Sequence, residues 1–160
     1  CSGLTGHTEV VRVVWNKNEI DLSDLLKLFW ECHDPTQGNR QGNDSGSQYR
    51  SAIYATNKNQ LDKAIESKKS YQKELKNNGF GEITTEISNN IKFYFAEEYH
   101  QQYLAKPGSR PYCSAMPTKV EFKNFNGANF KLNKTVWSYF DWDINHCILR
   151  GDNTPIKANS

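Results

Sequence analysis

The hydrophobic and polar positions near the start of the chain alternate with the period of a strand. Residues 7–16, HTEVVRVVWN, are rich in β-branched side chains and place Val11, Val13 and Trp15 on one face. This pattern predicts a strand whose apolar face is buried. Glu9 falls on the same face, where a carboxyl group is costly unless it is hydrogen-bonded or protonated, and a protonated one would suit a general acid. The alternative is that Glu9 lies in water at a frayed strand end.

A helical period follows the predicted strand. Asp21 or Ser23 can cap a helix that packs on the core. The helix should stop near Asp34–Pro35, because the residue before a proline resists the helical conformation. The apolar residues at helical spacing are Leu22, Leu25, Leu26, Phe29 and Trp30.

A second strand and a longer helix are predicted in the middle of the chain. Residues 49–55, YRSAIYA, are typical of a strand. Thr56 can cap a helix with apolar residues on one face and lysines mostly on the other, where they meet solvent. Gly79 can supply the left-handed turn that ends this helix.

The pattern becomes irregular toward the C-terminus. Residues 82–96 predict a strand, an Asn-Asn turn and either another strand or an extended approach to a short helix at 97–106. Isolated aromatic residues after Pro107 are expected to wrap the core. They are Phe122, Phe125, Phe130, Trp137, Tyr139, Phe140 and Trp142. Helices and strands without a repeat predict an α+β fold, an α/β sandwich whose mixed sheet is flanked by helices. Residues 1–160 then form a single domain with an irregular C-terminal arm at 107–160.

Composition limits the partners of the chain. It has 20 basic and 18 acidic residues and a net charge of +2, so there is no electrostatic reason to expect nucleic acid or an anionic membrane as a partner. No apolar run approaches the roughly 18 residues of a membrane span, and no secretory signal is visible. The only methionine is Met116, and the chain opens on Cys1. We therefore expect an N-terminally incomplete polypeptide. Separately, we expect a cytoplasmic monomer.

The four cysteines, Cys1, Cys32, Cys113 and Cys147, are far apart. None forms a CxxC pair, so the spacing of a zinc site is absent and no metal is expected. They are either buried thiols or redox-active ones. Cys113 lies in RPYCSAMP, where a thiol could travel to another thiol or simply be exposed, and the same two interpretations apply to Cys147.

A long polar loop separates the first helix from the second strand. Residues 33–49, HDPTQGNRQGNDSGSQY, contain almost no apolar side chain and are punctuated by Gly38, Gly42 and Gly46. Loops of this length without their own secondary structure are often functional. Such a loop can also simply satisfy its backbone with its own side chains. The hydroxyl of Tyr49, which closes the loop, could face a cavity, or its ring could only pack.

Four stretches resemble the peptide methionine sulfoxide reductase A family. They are CSGLTGHTEVVRVVW at 1–15, FWECHDPTQGNRQGNDSGSQYRSAIY at 29–54, ITTEI at 83–87 and FYFAEEYHQQYLAK at 93–106. The match runs in order and at near-constant spacing as far as Cys113, and the loop sequence is highly specific to this family.

The resemblance implies an enzyme that reduces the S epimer of methionine sulfoxide, free or in proteins, without a bound cofactor. A cysteine thiolate attacks the sulfoxide sulfur while a glutamic acid, aided by tyrosine hydroxyls, protonates the oxygen. The sulfenic acid formed then condenses with a recycling cysteine to a disulfide, which thioredoxin or another dithiol reduces. By position, Glu9 matches the acid, Tyr49 a hydroxyl donor and Asp44 the aspartate that organises the pocket. Cys113 resembles the first recycling cysteine, and Cys147 could be a second one, although its context matches the family less well.

The sequence also departs from the family. The family's nucleophile lies in a Gly-Cys-Phe-Trp motif, and here the Phe29–Trp30 pair is not preceded by cysteine. Cys1 matches a cysteine that is not usually the nucleophile, and Cys32 stands where the family more often has a polar residue. The chain alone is therefore predicted to be inactive. Two alternatives stay open: a module that binds oxidised methionine without turnover, and a redox-responsive domain that links Cys113 to Cys147.

Overall fold

Two helices and two small sheets make up the described part of the chain, which comprises residues 5–101, 103, 106–108 and 115–129 in a computed structural model. The elements in chain order are α1 Leu22–Glu31, β1 Arg40–Gln41, β2 Asp44–Ser45, a 3-10 helix Ser47–Tyr49, β3 Ala52–Ala55, α2 Lys58–Asn77, β4 Glu86–Asn89 and a 3-10 helix Glu98–His100. Strands β1 and β2 pair antiparallel, and β3 and β4 pair parallel. The predicted α+β fold is confirmed, with its mixed strand orientations divided between two separate sheets.

Helix α1 begins after Asp21, one of the two candidate caps that the sequence leaves open. The Asp21 side chain accepts a hydrogen bond from the backbone N–H of Ser23 at 2.8 Å, which satisfies a donor that has no partner within the helix. The helix ends at Glu31, with Cys32 as its C-terminal cap. It therefore stops before the predicted boundary at Asp34–Pro35.

Helix α2 is capped by Asn57 and not, as predicted, by Thr56. The Asn57 side chain accepts from the backbone N–H of Gln60 at 3.0 Å, whereas the hydroxyl of Thr56 donates to the Gln60 side chain at 2.8 Å. An amide oxygen serves as well as a hydroxyl at this position, so the cap falls one residue later. At the other end Gly79 has a φ of 82°, and the N–H that follows it returns to the carbonyl of Leu75 at 3.0 Å. The predicted left-handed turn is confirmed.

The parallel pair β3–β4 lies on either side of α2 in the sequence. Ala52 is opposite Glu86 in its register. Strand β3 is shorter than the predicted strand at 49–55, because Tyr49 belongs to the 3-10 helix Ser47–Tyr49 and does not open the strand. This keeps Tyr49 in the loop that precedes the sheet.

Stacked aromatic rings form much of the core. Trp30 of α1 lies 5.8 Å from the ring of Tyr71 in α2, which lies 5.1 Å from Phe122. Trp30 and Tyr71 are fully buried, and the Trp30 indole donates to the hydroxyl of Ser67 at 2.9 Å. Phe122 and Phe125 of the C-terminal segment are also buried. The other aromatic residues that we expect to wrap the core lie outside the described residues.

Residues 7–16 do not form the predicted strand. Val11 is 87% exposed and Val13 is 54% exposed, and Glu9 is exposed as well. Alternation buries one face of a segment only where a neighbouring strand and a covering layer exist. Within the described part of the chain neither is present, so the prediction of a buried apolar face is wrong.

The chain after β4 is less regular than predicted. Asn90 has a φ of 55°, which fits the expected Asn-Asn turn. Residues 91–96 form no strand, so the extended approach is the better of the two interpretations. Of the helix predicted at 97–106, the described residues include the 3-10 helix Glu98–His100, and residues 102, 104 and 105 lie outside the described residues. Neither α1 nor α2 is long and apolar enough to cross a membrane.

Candidate functional site

The polar loop is ordered by its own side chains. The Asp34 carboxylate accepts from the backbone N–H of Thr36 at 2.9 Å, and the Gln41 side chain donates to the carbonyl of Asp34 at 3.0 Å. The backbone N–H of Gly42 donates to the Gln37 side chain at 2.7 Å. The self-bonded interpretation of the loop is therefore correct. It does not exclude a functional role, because the same bonds fix the surface that the loop presents.

Asp44 and Tyr49 lie at defined places on this loop. Asp44 is partly buried in β2, and Tyr49 is partly buried at the end of the 3-10 helix. Between them Gly46 has a φ of 144°, and a Cβ atom there would lie 2.5 Å from Oε1 of Gln48. The turn that connects the two predicted site residues therefore requires glycine. The Tyr49 hydroxyl has no hydrogen bond to any described residue.

Glu9 is held beside this loop by its backbone. Its N–H donates to the carbonyl of Gln48 at 2.8 Å, so Glu9 lies next to the residue that precedes Tyr49. Its carboxyl group is exposed and makes no hydrogen bond or ion pair with the described residues. Of the two interpretations of Glu9, the one that leaves it in water is correct. Two unpartnered polar groups, one on Glu9 and one on Tyr49, are thus held on neighbouring backbone.

Sequence reasoning missed the residues that anchor this arrangement. Nε of Arg50 donates to the Glu86 carboxylate at 2.7 Å, and Nη1 donates to the carbonyl of Gly6 at 3.3 Å. The hydroxyls of Thr8 and Tyr54 lie 3.1 Å apart. The hydrogen bond from Arg50 to the carboxylate of Glu86 raises the pKa of Arg50. The only sequence signal was the position of an arginine directly after Tyr49, a residue type that binds planar acceptors in several directions.

The two titratable residues at the end of α1 are structural. Burial lowers the pKa of His33 to about 4, so the ring is neutral at pH 7. Burial raises the pKa of the Cys32 thiol to about 11, and that thiol donates to the carbonyl of Phe29 at 3.3 Å. A thiol must be deprotonated to act as a nucleophile. Cys32, which is partly buried, therefore fits the inert one of the two interpretations that the sequence left open.

The other predicted redox residues lie outside the described residues. These are the recycling cysteines Cys113 and Cys147, together with Cys1. In the described ranges, no group of three or more His, Cys, Asp or Glu side chains is arranged to hold a metal ion.

Comparison with known proteins gives one consistent result. A family model described as "Peptide methionine sulfoxide reductase" matches residues 1–133. Peptide methionine sulfoxide reductase MsrA of Pseudomonas entomophila (strain L48) is 64% identical over 120 residues, which are 75% of this chain and 54% of that protein. The mitochondrial peptide methionine sulfoxide reductase of Bos taurus is 61% identical over 120 residues, which are 75% of this chain and 51% of that protein. The chain thus spans about half the length of the curated relatives it matches.

A solved structure extends the likeness to the fold. Methionine sulfoxide reductase A of Corynebacterium diphtheriae superposes with a TM-score of 0.66 at 40% identity, covering 81% of this chain and 63% of that one. The stretch matched by the family model contains Glu9, Asp44 and Tyr49. Both comparisons agree with the resemblance carried by the polar loop. The chain therefore belongs to the peptide methionine sulfoxide reductase family.

Proposed function

We propose that this chain serves the reduction of the S epimer of methionine sulfoxide to methionine, with Glu9 as the proton donor to the sulfoxide oxygen. One observation carries the proposal. The 2.8 Å hydrogen bond from the Glu9 N–H to the Gln48 carbonyl holds the backbone of Glu9 at the residue that precedes Tyr49, and the Glu9 carboxyl group is exposed. Because neither the carboxyl group nor the Tyr49 hydroxyl has a partner among the described residues, both are available to one substrate oxygen.

Each group has a separate chemical role in this proposal. Glu9 transfers a proton to the sulfoxide oxygen while a thiolate attacks the sulfur, and Tyr49 donates a hydrogen bond to the same oxygen. Asp44 organises the wall of the pocket from β2. Two thiols are oxidised to a disulfide, the sulfoxide becomes a thioether and its oxygen leaves as water. Cys113 and Cys147 serve as recycling cysteines.

Thioredoxin or a small dithiol then reduces the disulfide by thiol exchange. The substrates are free methionine sulfoxide and oxidised proteins, and the chain acts as a monomer. The proposed location is the cytoplasm. It stays a prediction, because relatives named as mitochondrial match nearly as well as those from Pseudomonas.

We further propose that the chain alone does not turn over substrate. Burial raises the pKa of Cys32 to about 11, which leaves almost no thiolate at neutral pH. None of the four cysteines stands in a Gly-Cys-Phe-Trp motif. Hydrogen bonds to the sulfoxide oxygen need no thiolate, so we expect binding and turnover to separate in this chain.

A titration with both epimers tests the binding part. The chain, labelled with ¹⁵N, is titrated with the S and R epimers of N-acetylmethionine sulfoxide N-methylamide. We expect the amide signals of Glu9, Asp44 and Tyr49 to move with the S epimer, and Glu9→Gln to weaken its binding. Equal responses to both epimers, or responses confined to other residues, would contradict the proposal.

A turnover assay tests the second part. The chain is incubated with the S epimer and dithiothreitol, and methionine is measured by chromatography. We expect no product. Robust reduction that Cys1→Ser abolishes would show that Cys1 is the nucleophile and that the predicted inactivity is wrong.

A binding module without turnover is the second candidate function. It is favoured by the coexistence of two unpartnered polar groups with a protonated thiol at Cys32, the one cysteine among the described residues. The coding sequence upstream of Cys1 separates the two candidates. A Gly-Cys-Phe-Trp motif there supports the enzyme, and its true absence supports the binding module.

A further inference from the structure

The guanidinium group of Arg50 joins four parts of the chain. Nε donates to the Glu86 carboxylate of β4 at 2.7 Å, and Nη2 donates to the hydroxyl of Tyr54 in β3 at 3.3 Å. Nη1 donates to the carbonyl of Ser47 at 2.7 Å and to the carbonyl of Gly6 at 3.3 Å. Arginine has five donors fixed in one plane, which allows one side chain to bind several acceptors at once.

Arg50 also reaches Thr8 through Tyr54. A guanidinium group has no acceptor, so the oxygen of Tyr54 accepts the bond from Arg50. The hydroxyl hydrogen of Tyr54 is then free to donate to Oγ1 of Thr8, 3.1 Å away. Two residues that shortly precede Glu9 therefore depend on one side chain, Gly6 directly and Thr8 through a hydroxyl.

The chain beyond Glu9 gives this segment little support. Residues 10–15 make no backbone hydrogen bond to any described residue, and Val11 is 87% exposed. Ring contacts connect the segment to residues 93–95, but that stretch is itself exposed. Apart from the bond between the Glu9 N–H and the loop, the contacts of Arg50 are therefore the main polar restraints on where Glu9 lies.

We propose that Arg50 is a positioning residue, which holds the segment ending in Glu9 so that its carboxyl group and the Tyr49 hydroxyl meet the same sulfoxide oxygen. The proposal rests on the proposed function, because it assumes that Glu9 is the proton donor. Arg50 is itself braced by Glu86, and its side chain is only 22% exposed. It acts through Glu9 and does not touch the substrate.

Three variants and one control separate this role from a general effect on stability. Arg50→Gln removes all the contacts. Arg50→Lys keeps the charge but has a single nitrogen, which cannot reach Glu86, Gly6 and Tyr54 together, so it should not restore function. Tyr54→Phe should remove the hydrogen bond to Thr8 and leave the bond from Arg50 to the carbonyl of Gly6 in place. Lys76→Gln is the control, because it removes a different exposed ion pair, 2.8 Å long, with Glu82.

The first measurement is amide hydrogen exchange in the full chain without ligand. Loss of the restraint should speed exchange of the Glu9 N–H about tenfold in both Arg50 variants, the size expected for one or two hydrogen bonds. Tyr54→Phe should have a smaller effect, and α2 should be unchanged throughout. If Arg50→Gln loses protection from exchange throughout the chain, it has unfolded. The test then rests on whether Arg50→Lys speeds exchange of the Glu9 N–H while α2 stays unchanged. Unchanged exchange at Glu9 in the variants that fold would overturn the proposal.

The second measurement is the ratio of the Kd values for methionine and for the S-sulfoxide. A misplaced proton donor weakens sulfoxide binding and leaves thioether binding unchanged, so this ratio should fall about tenfold in Arg50→Gln, the size expected for one lost hydrogen bond. Equal weakening of both ligands would show a merely structural role and overturn the proposal. A wild-type chain that binds neither epimer would instead overturn the proposed function, while exchange at Glu9 would still decide whether Arg50 positions that residue.

Discussion

The ring of His33 accepts a hydrogen bond from the hydroxyl of Ser51, with 2.7 Å between Nε2 and Oγ. Its other nitrogen, Nδ1, donates to the carbonyl of Phe29 at 2.7 Å. The Ser51 hydroxyl also lies 2.8 Å from that of Thr85. These bonds join the end of α1 to the chain just before β3 and β4. Burial lowers the pKa of His33 to about 4, so the ring is neutral at pH 7 and Nε2 is the acceptor for the Ser51 hydroxyl.

The stability of the chain should therefore fall in mild acid. Burial lowers the pKa of His33 from 6.5 to about 4, so between these values the unfolded chain binds a proton that the folded chain does not. Stability is present above pH 6.5 and is lost as the pH falls toward 4. A shift of this size corresponds to roughly 3 kcal/mol. Urea unfolding at pH 7, 5.5 and 4 measures the loss.

The variant His33→Gln isolates the contribution of this ring. Carboxyl groups also titrate in this range, and they are unchanged in the variant. We expect the variant to be less stable at pH 7 but to lose less stability between pH 7 and pH 4. An equal loss in the two proteins would show that His33 is not the group responsible.

Ser67 should contribute to stability, because its hydroxyl accepts a hydrogen bond from the indole of Trp30. Ser67→Ala leaves Nε1 of the fully buried Trp30 without its 2.9 Å acceptor. An unsatisfied buried donor costs about 1–3 kcal/mol. Thermal unfolding followed by Trp fluorescence would detect this loss. Ser70→Ala in the same helix is the matched control. Ser70 is partly buried and its hydroxyl has no hydrogen bond to the described residues, so this change should lower the free energy of unfolding by much less than Ser67→Ala.

Gly46→Ala should distort the loop that holds Asp44 and Tyr49. The side chain of Gln48 can move away from a new Cβ, but the φ of 144° at Gly46 is accessible almost only to glycine. The expected cost is about 1–3 kcal/mol, with shifts in the amide signals of Asp44 and Tyr49. Gly81→Ala is the control, because nothing lies within 4 Å of a Cβ atom at that position. If Gly46→Ala and Gly81→Ala lowered stability by similar amounts, the backbone conformation at Gly46 would not be the cause of the loss.

Cys32 should resist alkylation while the chain is folded. Its pKa of about 11 means that the thiol is protonated at pH 8, and only the thiolate reacts. Mass spectrometry after iodoacetamide treatment at pH 8 should find Cys32 unmodified, and modified once urea is added. Rapid labelling of Cys32 in the folded chain would contradict its assignment as an inert thiol.

The helices could be predicted from sequence because their signals are local. Asp21 caps α1 within one turn, and Gly79 ends α2 within two residues. The conformation of residues 7–16 could not be predicted in this way. Alternation shows only that a segment is able to pair as a strand, and it does not show whether a partner strand lies beside it. In the same way the sequence predicted Glu9 as a site residue but did not predict which residues lie around it.

The anchoring role of Arg50 was invisible for a related reason. Its contacts reach Glu86 and Gly6, which are 36 and 44 residues away in the chain. The loop residues Asp44 and Tyr49 were found only through a resemblance to a family, because polar loops of this composition also occur without function. Local sequence patterns therefore predicted the helices near the site, whereas contacts between residues far apart in the chain determine its geometry.

The aromatic core has a consequence for a protein whose family deals with oxidised methionine. The buried cluster is assembled from Leu, Ile, Val, Ala, Phe, Tyr and Trp side chains, and the single methionine of the chain, Met116, lies outside it at 43% exposure. Sulfoxide formation turns a packed apolar side chain into a polar one and loosens the interior that contains it. Peroxide that damages other proteins therefore finds no thioether to attack in this core, and the fold should stay intact under the conditions that generate the substrate proposed for it.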